Sequence, residues 1–423
     1  MLLIYRYLIN IFFPLIIIIT LFRTWFNKED KNRFKEKLFS SSFNINRNEN
    51  KKLIWFHAAS IGEVKSIIPL IKKLNEKKQF EFLITTVTLS SSNLISKDLS
   101  NEKDITHRFF PIDKQSLVKK FLDSWSPNLI IFIDSEIWPN FILEIKKKNI
   151  PLILLNARIT RKSFLRWNLI PKVAEKVFQS FKLCLPASNE SKKYLERFKV
   201  KNIKYFGNLK LASESKINIL NNKNKEILNT SKFWCAVSTH EDEDIFCLKT
   251  HLKMKTSYKD IMTIIIPRHI DRVQSIKSSC KQFNLNCQIL SGDELIENGK
   301  EIIIINSYGK ISNYLEPCKS VFMGKSMVAK LKSVGGQNPI EAAKLKCKIY
   351  HGPHVYNFQE IYDLFNQHKI SEKIQNEEEL ANKITMDFNQ SNEITDEKIE
   401  IINNLGKKIL NDTCNELEKI VDK

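Results

Sequence analysis

Apolar and polar positions follow two rhythms along this chain. Short apolar runs rich in β-branched and aromatic residues, of the kind that sit inside a parallel sheet, predict strands at 53–58, 82–87, 129–133, 152–155 and 184–187. Between them the apolar spacing becomes helical, most clearly at 64–78. A polar, Lys/Asn-rich stretch at 213–231 interrupts the pattern, which then restarts with strands predicted at 233–237, 262–266, 287–290, 302–305, 320–323 and 348–350. Strand–helix alternation of this kind predicts a doubly wound α/β fold, here in two copies facing a cleft. The expected divisions are an N-terminal segment, 1–45, a first Rossmann-like domain, 46–215, and a second, 216–423. Ligands of such folds lie at the carboxyl ends of the strands.

The N-terminal segment breaks the rhythm. Residues 8–22 are apolar except for Asn10 and Thr20, with Arg6 before them and Arg23, Lys28, Lys31, Arg33, Lys35 and Lys37 after. About 15 residues fall short of the ~20 that cross a bilayer straight. No small-residue cleavage site follows, which disfavours a removed signal peptide. An uncleaved anchor with a cytoplasmic basic flank, or a helix dipping into one leaflet, remains. The 423 residues carry 67 basic and 47 acidic side chains, a net charge of +20, which suits anionic partners, although Lys and Asn are abundant throughout. Eight cysteines without CxxC spacing point to a reduced compartment, with neither a disulfide framework nor a zinc site.

Five stretches carry candidate chemistry. In His57-Ala58-Ala59-Ser60-Ile61-Gly62-Glu63 a strand meets a helix, and Ser60 and Glu63 have capping-box spacing. Glu63 therefore either closes the helix or acts as a base, kept ionised by the helix N-terminus. Asp134-Ser135-Glu136-Ile137-Trp138-Pro139-Asn140 puts two carboxylates after the buried strand 129–133, as a site wall or as helix caps. Lys210 lies in Gly207-Asn208-Leu209-Lys210, just before the domain boundary. Pro267-Arg268-His269 ends a strand with one of two arginines beyond Arg197, a guanidinium fork suited to phosphate or carboxylate. Gly335-Gly336 leads into a helix expected to have Asn338 as N-cap, Pro339 first and Glu341 third, an anion cradle or simply a well-capped helix. P-loop, HExxH and GxSxG motifs are absent.

Read in order, WFHAASIGEV, SEIWPN, LLNARIT, GNLK, STHEDED, IIPRH, GKISNYL, VGGQNPIEAAK and GPHVYNF resemble the Kdo (3-deoxy-D-manno-octulosonic acid) transferases of lipopolysaccharide synthesis over nearly the whole chain. The resemblance implies a GT-B fold and an inverting glycosyltransferase at the cytoplasmic side of the bacterial inner membrane. Its donor would be CMP-Kdo and its acceptor the lipid A precursor (lipid IVA), with membrane lipid as the other partner and no cofactor or metal. By motif, Glu63 would be the general base, with Glu136 and Lys210 supporting the transition state. Pro267, Arg268, Gly309, Lys310, Ile311, Asn338, Pro339, Ile340 and Glu341 would hold the CMP part. The chain departs from the family at Lys310, usually Glu, at Gln337, usually His, and in a longer, Lys-rich stretch at 326–335. The alternative is a GT-B transferase that uses a UDP-sugar in cell-envelope assembly. A nucleic-acid-binding role is disfavoured, because no basic stripe interleaved with aromatic residues is present.

Overall fold

The computed structural model describes residues 2–100, 102–214, 221–292, 294–389 and 394–422. The chain divides into two compact units, Met1–Glu214 with Asn404–Lys423, and Ser215–Asn403. Of the polar stretch expected at the boundary, residues 215–220 lie outside the described residues, and Asn222–Thr230 forms a helix.

In the first unit, strands β1 (Lys52–His57), β2 (Phe80–Thr86), β3 (Ile105–Phe109), β4 (Leu129–Ile133), β5 (Leu152–Ala157) and β6 (Leu183–Pro186) form one parallel sheet. Its order, β3-β2-β1-β4-β5-β6, reverses direction between β1 and β4, the switch point at which doubly wound sheets bind ligands. Residues of β4 and β5 are buried along their whole length, which is why these strands read as unbroken apolar runs. On one side the core gathers around Trp55, which packs with Phe110, Phe121, Phe132 and Phe141.

In the second unit, β7 (Phe233–Thr239), β8 (Met262–Pro267), β9 (Cys287–Leu290), β10 (Ile302–Ile305), β11 (Ser320–Met323), β12 (Lys348–His351) and β13 (Ser371–Lys373) form another all-parallel sheet. The order is β13-β12-β11-β7-β8-β10-β9, with the reversal between β11 and β7. The two strands that the apolar pattern did not predict, β3 and β13, are both sheet edges. They are short or polar and only partly buried, so they carry no apolar run.

The N-terminal segment is longer than its apolar stretch suggested. A single helix runs from Leu2 to Trp25, 24 residues with Pro14 inside it. By length and composition it could cross a membrane.

Trp55 is fully buried, and its indole N–H donates to Thr85 Oγ1 at 2.9 Å. Trp55→Ala should therefore destabilise the first unit by about 3–5 kcal/mol, read as an earlier unfolding transition in near-UV circular dichroism.

Candidate active site

The switch point of the first sheet gathers every candidate that the sequence placed in that unit. At the end of β1 the chain enters the helix Ile61–Asn75 through Ser60, whose hydroxyl oxygen accepts the Glu63 N–H at 3.4 Å. Glu63 reaches back to accept the Ala59 N–H at 2.7 Å and the Ser60 hydroxyl at 2.8 Å. The capping reading and the site reading of Glu63 thus describe one geometry. Helix capping does not keep this carboxyl a strong acid, contrary to expectation. Burial, then the nearby charge of Asp134 and a smaller push from Glu136, outweigh the hydrogen bonds of Ser60 and Ala59 and raise its pKa to about 7. Apart from its chain neighbours and its own helix, nothing among the described residues lies within 4 Å of where a Cβ on Gly62 would stand, so the backbone beside Glu63 is open to close approach.

Asp134 and Glu136 cap no helix. The helix Pro139–Lys147 is closed instead by Asp113, whose carboxylate accepts the Asn140 and Phe141 N–H groups at 3.0 and 2.9 Å. Asp134 has a left-handed backbone, φ +53°, tolerable for Asp, which ends β4 in a tight turn. Its carboxylate accepts the Asn156 side-chain amide at 2.6 Å and pairs with Lys210 Nζ at 2.5 Å. Asn156 in turn accepts the Leu209 N–H at 2.9 Å, so two contacts fix the Lys210 segment against the ends of β4 and β5. From beneath, the C-terminal helix presses on the same segment. A Cβ at Gly406 would lie 2.3 Å from the Leu211 carbonyl oxygen, and Ile409 packs against Gly207. Glu136 accepts the Trp138 indole N–H at 2.8 Å and lies 3.2 Å from His57 Nε2. His57 itself is buried, stacked on Phe110, with Nδ1 3.0 Å from the Thr85 hydroxyl.

In the second unit, the candidates again follow strand ends. Pro267 closes β8, and the exposed Arg268 donates its backbone N–H to the Thr239 carbonyl at 3.1 Å. Gly309 takes a positive φ of +79° after β10, Lys310 Nζ donates to the Gly292 carbonyl at 2.6 Å, and Ile311 opens a short helix, Ile311–Leu315. The helix after Gly335-Gly336 is Ile340–Lys344, with Pro339 at its cap. It begins one residue later than expected, yet the Asn338 side chain still accepts the Ile340 N–H at 3.1 Å. Gly335 and Gly336 are required by packing, since a Cβ on either would collide with the backbone of 354–355.

Reasoning from the sequence did not single out Glu243, and its position explains the STHEDED run. Its fully buried carboxylate accepts the N–H groups of His240, Lys325, Ser326 and Met327 at 2.6–2.9 Å, tying the loop after β7 to the loop after β11. His57 and Asn156 were likewise quoted only within motifs.

Two parallel α/β units, each with polar side chains collected at the strand ends, form the GT-B architecture of sugar-nucleotide enzymes. Over 88% of its length the chain is similar to a glycosyltransferase from Rickettsia africae, covering 99% of that chain, with a TM-score of 0.59 at 15% identity. Residues 32–213 match the family model described as 3-Deoxy-D-manno-octulosonic-acid transferase (kdotransferase). Across 92% of both chains, this one is 30% identical to the 3-deoxy-D-manno-octulosonic acid transferase of Rickettsia bellii. It is 32% identical to the probable mitochondrial 3-deoxy-D-manno-octulosonic acid transferase of Arabidopsis thaliana, over 74% of this chain and 72% of that one. The chain belongs to the 3-deoxy-D-manno-octulosonic acid transferase family and is a glycosyltransferase.

The charge of Asp134 holds the Glu63 pKa up. Asp134→Asn removes that charge, which favours the Glu63 carboxylate. The Glu63 midpoint, followed by infrared difference titration against Glu63→Gln, should therefore fall below about 7.

Proposed function

We propose that this enzyme moves Kdo from CMP-Kdo to the lipid A precursor, lipid IVA, with inversion at the anomeric carbon, at the cytoplasmic face of the inner membrane. The supporting observation is the Glu63 carboxyl: buried, at the switch point, beside an open backbone, with a pKa raised to about 7. A general base works best when its pKa lies near the working pH. In this reading Glu63 takes the proton of the acceptor hydroxyl while that oxygen attacks the anomeric carbon from the face opposite CMP. The bond from the anomeric carbon to the phosphate oxygen then breaks, and CMP leaves with the electron pair. Glu136, held by Trp138 and adjoining His57, and Lys210, held by Asp134, support the charge that develops.

The second unit takes the donor. Arg268 meets the phosphate, Pro267 shapes the turn, and Gly309, Lys310 and Ile311 together with Asn338, Pro339, Ile340 and Glu341 contact the rest of CMP. Assigned in this way, the first unit serves the acceptor and the second the donor; the expected donor stretch 216–423 gives up its last residues, Asn404–Lys423, to the first unit. A net charge of +20 suits both the anionic donor and a phosphorylated acceptor in an acidic membrane.

Transfer in detergent, with CMP-Kdo generated in the assay and lipid IVA as acceptor, should give a product heavier by one or more Kdo residues in mass spectrometry. Transfer from UDP-sugars and none from CMP-Kdo would establish the alternative donor. Glu63→Gln should lower the rate by ~10²–10⁴-fold while retaining CMP-Kdo binding; wild-type transfer by this variant would remove Glu63 as the base. Because the deprotonated form acts, the wild-type rate should rise with pH through about 7. Arg268→Ala should weaken CMP binding by roughly 10–100-fold, the scale of a lost charge-assisted hydrogen bond.

A further inference from the structure

The N-terminal helix Leu2–Trp25 has two faces along its whole length. Tyr5, Ile9, Phe13, Ile16, Thr20 and Thr24 recur at helical spacing and are all half-buried or buried. On the opposite face Tyr7, Ile11, Leu15, Ile18, Phe22 and Trp25 are 48–77% exposed. The first stripe packs on the first unit. Phe13 joins that unit's core, with Lys114 Nζ 3.9 Å above its ring.

Both ends are fastened to the same folded body. Near the start, the Tyr5 hydroxyl donates to Asp113 at 2.7 Å, and Arg6 donates to Asn140 at 2.9 Å and faces Glu144 at 3.5 Å. Asp113 is itself buried and caps the helix Pro139–Lys147. Near the end, Arg23 pairs with Glu29 at 2.8 Å, and Glu29 pairs with the buried Lys37. The Lys37 carbonyl accepts the Ile112 N–H, one residue from Asp113.

Tyr5 and Arg23 are separated by about 27 Å of helix, close to the ~30 Å of a hydrocarbon core. A helix crossing the bilayer would hold these residues at opposite membrane faces, and Asp113, Asn140 and Glu144 would have to follow Tyr5 and Arg6 through the lipid. That would break a capped helix and leave buried charges unpaired, a cost of several kcal/mol per group.

We propose that the helix Leu2–Trp25 does not span the membrane but lies along its surface, clamped at both ends to the first unit, with the stripe from Tyr7 to Trp25 sunk into one leaflet of an anionic phospholipid bilayer. The occupant follows from the chemistry of the face and its border. The stripe is wholly apolar or aromatic, and Arg23, Lys28, Lys31 and Lys35 flank its end as exposed or half-exposed cations placed to meet lipid phosphates. The membrane attachment proposed above thereby acquires a geometry, whatever donor or acceptor the enzyme uses.

Two measurements decide it, both on the full chain. The first places one protease-cleavable tag before Met1 and another after Lys423, in sealed inner-membrane vesicles of either orientation. Both tags should be cut in inverted vesicles and neither in right-side-out ones; an N-terminal tag cut only from the periplasmic side would establish a spanning helix and overturn the proposal. The second is flotation with phosphatidylcholine vesicles containing phosphatidylglycerol. The triple variant Ile11→Glu, Leu15→Glu, Ile18→Glu should lose vesicle binding by more than about tenfold with an unchanged melting curve. Retained binding would equally overturn it, and conversion of a dimer to a monomer with binding intact would show that a second copy covers this face instead. Should the variant not fold, the tag measurement still decides.

Discussion

Burial of both sheets on their two faces governs where this protein can do chemistry. Strands such as Leu129–Ile133 and Ile302–Ile305 are enclosed along their whole length, and an unpaired polar group there would cost several kcal/mol. Titratable side chains are therefore displaced to the loops at the carboxyl ends. Where the strand order reverses, adjacent loops diverge and leave room between them. Glu63, Asp134 and Glu136 meet there because β1 and β4 are neighbours in the sheet, although more than 70 residues separate them in sequence.

The two units solve the same local problem with a glutamate and to opposite effect. Each has a Glu near the start of the helix that follows its first strand, Glu63 in one and Glu243 in the other. Glu243 is saturated by four backbone N–H groups and fully enclosed, so its role is to bind two loops together. Glu63 holds one backbone N–H and one hydroxyl, beside two other carboxylates and an open glycine. Burial raises the pKa of both carboxyls; at Glu243 four backbone N–H groups oppose the shift, whereas at Glu63 fewer donors and the like charges of Asp134 and Glu136 leave it at about 7.

The Lys210 segment shows how support reaches the site from distant sequence. Asp134 and Asn156 hold it from the sheet, and Gly406 allows the C-terminal helix to lie against Leu211. A side chain at Gly406 would push the Leu211 backbone away and, with it, the neighbouring lysine that pairs with Asp134. A position far from any candidate motif thus limits the geometry of the ion pair.

Apolar periodicity by itself determined the two α/β units and eleven of the strands, because buried strands must be apolar throughout and that requirement is local. Motif order determined the family, and position after a strand marked Glu63, Glu136 and Arg268. The edge strands β3 and β13 were not legible, since their short or polar, partly buried residues carry no apolar run, unlike the opposite edges β6 and β9. Only the tertiary structure decided that Asp134 pairs with Lys210, that Asp113 caps the helix expected to use Asp134 or Glu136, and that Glu63 has its pKa raised despite its capping position. Each of these depends on which charges lie within a few ångströms across the sheet and how much water is excluded around them. Those quantities arise from packing between segments remote in sequence, and no local pattern of residues encodes them.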